Sequence, residues 1–364
     1  MIDQMFAFAK ELSFFQQDWI GSLIRIAITT GAIFGVLVYM MVWAERKISA
    51  FLQDRLGPNR IGPMGLLQGL ADGIKFIFKE DMIPANANPF FFALAPWIAV
   101  FPAILAFAAV PYGAREINGE MVPLVIANID IGILFVISIS SLGVFSIILG
   151  GWASNSKYPV LGGLRAAAQV ISYEIPLGLS IMAIFILSGT TNLTEIAMLQ
   201  TKTWYIFLCP IGFIIFLTSI FAETNRLPFD MPEGETEIIG FHAEYSSMKF
   251  AMFFMGEYAS IVTVSCLTIL LFLGGWEFLP FFSWRDVSNL MGIEIYSHPI
   301  LWFLPTAWFL AKLAFFIFFF IWVRWTLPRF RYDQLMALGW KRLIPLSLLN
   351  LVITIIVVLI GYKS

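Results

Sequence analysis

Long apolar runs separated by short polar segments dominate the pattern of residues along the chain. A helix that crosses a bilayer needs about 20 mostly apolar residues. Eight stretches of about this length can be marked: 20–43, 89–110, 131–152, 166–187, 205–222, 250–273, 300–323 and 343–360. No polar segment between them is long enough to form a soluble domain. The pattern therefore predicts an all-α membrane protein, with residues 1–364 forming a single polytopic domain of eight transmembrane helices.

The polar segment 44–88 contains a helical pattern of a different kind. Polar side chains recur on one face of the stretch 64–80: Gln68, Asp72, Lys75 and Lys79. The opposite face is apolar: Leu67, Leu70, Ile74, Ile77 and Phe78. We predict an amphipathic interfacial helix over 64–80 that lies along the membrane surface. Sealing the helix bundle is the simplest role for such a helix.

Composition narrows the functions that this chain itself can perform. Only 13% of the residues are charged and 59% are hydrophobic, with a mean hydropathy of +0.84, whereas a soluble domain has about 25% charged residues. Two cysteines are too few for an iron–sulfur cluster, which generally takes four ligands, and the two histidines both lie in loops. Nucleotide-binding glycine motifs are missing from the sequence. We expect this chain to bind no metal, haem, flavin, nucleotide or nucleic acid.

Positive charge predicts the orientation of the chain in the membrane. Of the 22 Lys and Arg residues, 15 lie in the odd-numbered loops and five on the other side. Because cytoplasmic loops carry the excess of positive charge, we expect the odd loops to face the cytoplasm. An even number of spans then places both termini outside.

Two of these loops have an unusual charge balance. The loop 223–249 has six acidic residues and two basic ones, which suits either a solvated loop that faces a partner or a proton-handling site, since crowded carboxylates bind protons more tightly. The loop 324–342 is basic, with Arg329 and Arg331 beside a single acid, Asp333. Anionic lipid headgroups or a partner protein would both explain it.

Four ionisable residues lie inside the predicted spans: Arg25, Glu174, Glu257 and Lys312. A charge in the bilayer centre costs about 2.5–3.5 kcal/mol on insertion scales, so such groups usually face the bundle interior or one another. Static pairs of Arg25 and Lys312 with the two glutamates are one interpretation. The other is a proton relay through Glu174 and Glu257, which Glu223 would extend to the acidic loop. The residues alone leave open a secondary transporter and the membrane part of a redox complex.

Several motifs in the loops resemble one known family. They are the residues 45–47 (ERK), 53–63 (QDRLGPNRIGP), 153–158 (ASNSKY), 171–176 (ISYEIP), 222–235 (AETNRLPFDMPEGE) and 327–334 (LPRFRYDQ). In this order they resemble a family of membrane subunits of the proton-pumping NADH–quinone oxidoreductase, respiratory complex I, whose mitochondrial member is NADH dehydrogenase subunit 1. The resemblance extends over about residues 18–362.

The resemblance implies a function in electron and proton transport. Such a subunit forms the membrane part of a chamber for ubiquinone or menaquinone, the substrate, while the other cofactors lie in partner subunits. By position, one set of residues would line or support this chamber: Glu45, Arg46, Arg55, Arg60, Asp72 and Lys75. Glu174, Glu223 and Glu257 would form a proton path. An acidic loop would lie under the quinone site: Asp230, Glu233, Glu235 and Glu237.

The resemblance also implies an assembly and a location. The expected partners are the peripheral subunits B, D and I, the membrane subunits A, J and K, and membrane lipids. The expected location is the bacterial inner membrane, with both termini periplasmic, and the isolated chain is expected to catalyse nothing. Two alternatives remain, the membrane subunit of an energy-converting hydrogenase and a stand-alone proton-coupled transporter.

The third predicted span departs from what a relay of carboxylates would need. Its polar groups are Ser138, Ser140 and Ser141, and Asp130 lies only at its edge. A relay that passes this span would have to use water or hydroxyl groups. The segments 111–130 and 274–299 match no motif and receive no predicted role.

Overall fold

A computed structural model describes residues 33–117, 120–232, 240–293, 295–298 and 301–361 of the chain. Most of these residues are helical. The α-helices are α1 Tyr39–Leu52, α2 Gln68–Phe78, α3 Pro89–Phe107, α4 Gly132–Ser140, α5 Gly143–Ala153, α6 Lys157–Ser188, α7 Leu193–Leu199, α8 Tyr205–Leu208, α9 Pro210–Glu223, α10 Ser247–Phe272, α11 Trp284–Met291, α12 Phe303–Thr326, α13 Tyr332–Leu338 and α14 Ile344–Gly361. Short π-helical turns, Ile33–Val38 and Gly339–Leu343, continue into α1 and α14, and a 3₁₀ turn spans Pro63–Gly65.

Within the described residues, six helical segments are long and apolar enough to cross a membrane. They are Pro89–Phe107, Gly132–Ala153, Lys157–Ser188, Ser247–Phe272, Phe303–Thr326 and Tyr332–Ile360. The apolar helix Pro210–Glu223 is shorter. Residues 20–32 of the first predicted span, including Arg25, lie outside the described residues. The chain is thus a mainly helical, multi-pass membrane protein.

Two of the apolar stretches contain interruptions that periodicity alone does not mark. The helix over 205–222 breaks at Cys209 (φ −136°, ψ 61°) because Pro210 disfavours helical geometry in the residue before it. The stretch 131–152 changes from α4 to α5 through a tight turn, in which the N–H of Leu142 bonds to the carbonyl of Ile139 at 3.2 Å. Helix α6 begins at Lys157, nine residues before the apolar stretch, because a helix continues into the polar surface layer without a change in its backbone.

Helix α6 packs against α5, α9 and α14. Helix α10 packs against α3, α12 and the amphipathic helix α2. The contact between α10 and α3 is close at Gly256, where a Cβ atom would lie 2.8 Å from the carbonyl oxygen of Ala99. A larger residue there would push the neighbouring Glu257 away from α3.

A two-stranded hairpin is an exception to the all-α prediction. Strands β1 Ala114–Ile117 and β2 Glu120–Pro123 pair antiparallel, with Arg115 opposite Val122. It lies in the segment 111–130, which contains four charged residues and several glycines and prolines and is too polar to span a membrane. Two short strands satisfy the backbone of such a loop without a helix.

Candidate functional site

The loop that follows α9 is held in shape by a buried glutamine from α6. The Gln169 side chain is fully buried, and its amide nitrogen donates to the carbonyl oxygens of Ala222 at 2.8 Å and Phe229 at 2.7 Å. Asn225 adopts a left-handed backbone (φ 51°), which short polar residues tolerate best. The loop therefore has one defined path, and it buries the side chain of Arg226.

Arg226 is the centre of a group of four charged side chains from distant parts of the sequence. Its Nη1 lies 3.1 Å from Oε1 and 3.4 Å from Oε2 of the buried Glu45. Arg324, near the end of α12, also bonds to Oε1 of Glu45. The Nη2 atom of Arg226 lies 4.0 Å from Oε2 of Glu257. We call these four residues, with two positive and two negative charges, the arginine cluster.

An aromatic ring completes the surroundings of Arg226. Its guanidinium carbon lies 4.7 Å from the centre of the Tyr258 ring, a cation–π distance. Glu257 and Tyr258 are adjacent in α10, so successive residues of one helix contact the same arginine from two directions.

A second ion pair joins the loop to the segment after α12. Arg329 Nη2 lies 3.0 Å from Oδ2 of the buried Asp230. The Phe229 and Phe330 rings stack with their centres 5.5 Å apart. The basic segment 324–342 and the start of the acidic loop therefore pack against each other. The remaining predicted members of the acidic loop, Glu233, Glu235 and Glu237, lie outside the described residues.

An apolar groove of about 450 Å³ lies between α1, α2 and α10. Its lining includes Val38, Tyr39, Phe76, Phe254 and Tyr258, and we call it the membrane groove.

Its polar wall is the ion pair of Arg46 with Asp72, which joins α1 to α2. Helix α2 approaches α1 closely because Gly69 lies against the Tyr39 ring. The apolar face of α2 remains exposed, with Leu70 55% and Ile77 65% accessible.

Two small cavities lie on the other side of α10. One, of about 80 Å³, is lined by Glu223, Glu257 and several hydroxyl side chains; we call it the glutamate cavity. The other, of about 40 Å³, continues past Leu177, Phe216 and Leu267; we call it the apolar cavity. A water molecule needs roughly 10–15 Å³ of such space, so each cavity has room for water.

The structure gathers some of the predicted site residues and separates others. Glu45 lies in the arginine cluster, and Arg46 and Asp72 line the membrane groove. Arg55, Arg60 and Lys75 are exposed, and they do not belong to the lining of that groove.

The three glutamates of the predicted proton path occupy neighbouring positions. Glu223 and Glu257 line one cavity. Glu174, partly buried on α6, is near enough to Glu223 for the two carboxylates to repel each other.

Sequence reasoning missed three members of this site. Arg226 lies inside the motif 222–235, but the resemblance gives it no role. Tyr258 has no feature in the sequence that marks it as a site residue, apart from its position next to Glu257. Arg324 is 279 residues from its partner Glu45. It follows a long apolar run, which is where a lysine or arginine that simply faces lipid headgroups also occurs.

Lys312 has a different environment from the one predicted. Its ammonium group donates to the carbonyl oxygens of Leu273 at 2.8 Å, Gly275 at 3.0 Å and Glu277 at 2.7 Å. Neither Glu174 nor Glu257 is among these partners, so the interpretation that pairs Lys312 with one of them is wrong. The reason is the turn that follows the C-terminal end of α10, whose backbone carbonyls converge on the ammonium group.

The carboxyl group of Glu277 lies beside Lys312 and is itself buried. Its Oε1 accepts from the Tyr296 hydroxyl at 2.9 Å, and its Oε2 accepts from the backbone N–H of Trp284 at 3.3 Å. We call Glu277, Tyr296 and Lys312 the lysine cluster. Burial raises the pKa of the Glu277 carboxyl, although Tyr296, Trp284 and Lys312 oppose that rise.

The described part of the chain contains no group of three or more His, Cys, Asp or Glu residues that could hold a metal ion. The arginine cluster, the glutamate cavity and the membrane groove can support ion pairing, proton exchange among carboxyl and hydroxyl groups, and binding of an apolar ligand.

Comparison with known proteins finds clear relatives of this chain. A family model described as NADH dehydrogenase matches residues 24–355. The H 2 subunit of NADH-quinone oxidoreductase from Koribacter versatilis is 47% identical over 356 residues, which cover 92% of this chain and 95% of that protein. The H 1 subunit from Geobacter metallireducens is 48% identical over 334 residues, covering 91% and 94%. The H subunit from Leptospira biflexa is 49% identical over 326 residues, covering 86% and 88%.

These matches confirm the resemblance that the loop motifs indicate. The named relatives belong to a quinone-reducing enzyme complex, so the hydrogenase and transporter alternatives have no support. The chain therefore belongs to the NADH dehydrogenase family, whose members include the H subunits that lie in the membrane part of NADH–quinone oxidoreductase.

Proposed function

We propose that this chain, as a subunit of NADH–quinone oxidoreductase, forms the membrane part of a quinone chamber and a buried carboxylate path that couples quinone reduction to proton translocation. One observation carries the proposal. Arg226 contacts Tyr258, which lines the membrane groove, and approaches Glu257, which lines the glutamate cavity. A single guanidinium group thus connects a ligand-sized groove to a proton-binding cavity.

The membrane groove suits a quinone in size and chemistry. Its volume of about 450 Å³ lies within the range of roughly 300–1,000 Å³ usual for small-molecule sites. An apolar lining from three helices favours an isoprenoid tail. The pair of Arg46 and Asp72 supplies polar groups that a headgroup passing along the groove can contact.

Reduction of the quinone changes the charge next to the arginine cluster. Two electrons and two protons convert a quinone to a quinol, and an anionic intermediate precedes full protonation. Such an anion near Tyr258 would compete for Arg226, which already shares its charge between Glu45 and Glu257. A weakened contact with Arg226 favours protonation of Glu257. Glu223 and Glu174 would then receive the proton in turn, toward neighbouring pump subunits.

The exposed apolar surface around α2 supports the proposed partners. Leu56 is 82% accessible and Phe78 is 85% accessible, and both flank the segment that contains the groove wall. We propose that peripheral subunits B, D and I cover this surface. Membrane subunits A, J and K would meet the bundle on the side of Glu174.

We also propose the finer membrane topology. The stretches 20–43 and 205–222 bring the six spans found in the described residues to eight. Helix α2 would then lie at the cytoplasmic interface, since it belongs to the first odd-numbered loop, which is rich in positive charge. Positive charge in the odd loops supports an orientation with both termini outside, which would be the periplasm in the inner membrane of bacteria such as those of the named relatives.

The first experiment is gentle detergent extraction of the tagged chain and an assay of NADH-dependent quinone reduction. A large complex with inhibitor-sensitive quinone reductase activity is the expected result. A chain that purifies alone and drives proton flux in liposomes would overturn the proposal.

A matched pair of glycine substitutions tests the groove itself. A Cβ at Gly73, in the groove lining, and at Gly178, in α6, would both meet open space. Gly73→Val should raise the KM for quinone several-fold because it narrows the groove, whereas Gly178→Val should not. Equal kinetics in the two variants would place the quinone elsewhere.

A further inference from the structure

Ser140 occupies the point where the third apolar stretch is interrupted. It is the last residue of α4, and α5 begins only at Gly143. The turn between them is tighter than an α-helix, and such turns within helices often mark functional positions. In the described part of this stretch the polar side chains are serines, so any proton that passes it meets hydroxyl groups or water.

The Ser140 hydroxyl has two acceptors and one hydrogen. Its Oγ lies 3.0 Å from Oε1 of Glu223 and 3.0 Å from the carbonyl oxygen of Ile137. When Glu223 is ionised, the hydroxyl donates to the carboxylate. When Glu223 is protonated, its own O–H donates to Oγ, and the serine hydrogen turns to the Ile137 carbonyl. The direction of this hydroxyl thus follows the protonation of Glu223.

Ser140 also lies at the boundary between the two cavities. Only a few residues line both of them: Ala99, Ser140, Gly143, Glu223 and Ser260. The shared polar groups are therefore the carboxyl of Glu223 and two serine hydroxyls. A proton that moves between the glutamate cavity and the apolar cavity passes this set.

We propose that Ser140 is a proton-relay residue that connects Glu223 to water in the adjoining cavities. In the transfer, a hydronium ion gives a proton to Oγ as the serine hydrogen passes to Oε1 of Glu223. One O–H bond forms at Oγ and one breaks there, so the hydronium ion becomes water and the carboxylate becomes a carboxylic acid. Rotation toward the Ile137 carbonyl then resets the hydroxyl. This inference rests on the proposed carboxylate path. It assigns to Ser140 the proton transfer at the third apolar stretch, which has no carboxylate in its interior.

Ser141 provides a matched control one residue away. Its Oγ donates to the carbonyl oxygen of Ser138 at 2.9 Å, and it does not line either cavity. The two serines share the same turn and the same chemistry, but only Ser140 contacts Glu223.

The test uses the assembled complex in proteoliposomes, with NADH and a short-chain quinone. Ser140→Ala should lower the rate of proton translocation per complex by roughly tenfold, the effect of one lost hydrogen bond to a charged group. Ser140→Thr should restore the rate because it keeps the hydroxyl. Ser141→Ala should translocate protons at the wild-type rate.

Two further readouts separate a relay from a packing effect. A relay predicts a larger solvent deuterium isotope effect in Ser140→Ala. It also predicts a shift of the Glu223 carboxyl stretching band to higher wavenumber, with the wild-type position kept in Ser140→Thr. If Ser140→Thr fails to rescue, or if neither signature changes, Ser140 acts through packing and the inference is wrong.

Glu223→Gln distinguishes failure of this inference from failure of the proposed function. Normal proton translocation in Glu223→Gln would overturn the carboxylate path, and the role of Ser140 with it. Loss of translocation in Glu223→Gln with a normal Ser140→Ala would overturn the role of Ser140 alone.

Discussion

Two buried charge clusters lie toward opposite ends of the paired helices α10 and α12, and they satisfy their charges in different ways. In the arginine cluster, Arg226 and Arg324 pair with other side chains, Glu45 and Glu257. In the lysine cluster, Lys312 gives all three of its donors to backbone carbonyls. The sixteen residues from Glu257 to Leu273 place the two clusters roughly 24 Å apart along α10.

The difference teaches what each cluster is suited to do. Backbone carbonyls keep their charge and position. An ammonium group that donates all three of its hydrogens to them therefore holds the turn after α10 in one conformation. Carboxylates change their charge with protonation and their position with rotamer, so a guanidinium that they share can redistribute its contacts. A cavity and a groove adjoin the arginine cluster. We infer that the lysine cluster stabilises the fold and that the arginine cluster takes part in the reaction.

Removing the ammonium group of Lys312 should have the largest effect and should act on stability. Lys312→Met leaves three backbone carbonyls without their donor and removes the cation beside the buried Glu277, and each buried polar group left unpaired costs about 1–3 kcal/mol. The amount of assembled complex in membranes, measured on native gels, should fall severely. Lys341→Met, at an exposed position, serves as the control. If the variant assembled normally but lost quinone reduction, the lysine cluster would take part in the reaction. Its role would then no longer differ from that of the arginine cluster.

Replacing the guanidinium group of Arg226 should have the next largest effect and should act on activity. Arg226→Lys keeps the charge but loses the planar guanidinium that reaches Glu45 through Nη1 and Glu257 through Nη2, and it loses the cation–π geometry at Tyr258. We expect kcat/KM for quinone to fall about 30-fold, or ~2 kcal/mol, with assembly retained. The exposed Arg331 allows a control, Arg331→Lys. A full loss of assembly in Arg226→Lys would show that both clusters are structural.

The basic segment after α12 offers a smaller contrast between two neighbouring arginines. Arg329 pairs with the buried Asp230, whereas Arg331 pairs with an exposed Asp333 at 3.3 Å. Exposed pairs contribute about 0–1 kcal/mol. Arg329→Ala should therefore lower the melting temperature of the complex clearly, and Arg331→Ala barely.

Reversing the charge of both arginines separates the two roles considered for this segment. If assembly is unchanged when Arg329 and Arg331 are both replaced by Glu, lipid headgroups rather than a partner protein are its ligand. If assembly is lost in the Arg331→Glu single variant as well, a partner protein docks there.

The sequence predicted the membrane class of the fold because the apolar runs are long and nearly free of charge. It also located Glu257, which carries a charge into the bundle, because this residue interrupts an apolar run. It did not predict which side chains or backbone groups each charged residue of the bundle contacts, because those contacts depend on tertiary packing. Glu45 and Arg324 are 279 residues apart, and the carbonyls that bind Lys312 carry no side-chain signal at all.

The periodicity of hydrophobic residues also could not predict the boundaries of the helices and strands or the local conformation of the backbone. The two-stranded hairpin after α3 lies in a stretch whose only apolar run, residues 121–127, is too short to span a membrane and is interrupted by Pro123. The interruption at Ser140 follows from no proline or glycine at that position, and only the hydrogen-bond pattern reveals it. The functional interest of Ser140 depends on Glu223, which lies 83 residues away.

The smallest expected effect concerns the carboxyl group of the lysine cluster. Burial raises the pKa of Glu277 in the folded chain above the unfolded value of 4.5. The folded state therefore binds this proton more tightly than the unfolded state. The resulting stability is fully present below pH 4.5 and is lost as the pH rises through the raised pKa.

Glu277→Gln should remove that loss, because an amide does not ionise. The melting temperature of the variant complex should therefore decline less than that of the wild type as the pH is raised from 4.5. The expected difference is on the order of 1 kcal/mol or less. Glu244→Gln, on an exposed loop, controls for the change in net charge. If Glu277→Gln instead changed the pH profile of quinone reduction, titration of the lysine cluster would belong to the reaction. The contrast with the arginine cluster would then be one of degree, since both clusters would exchange protons during turnover.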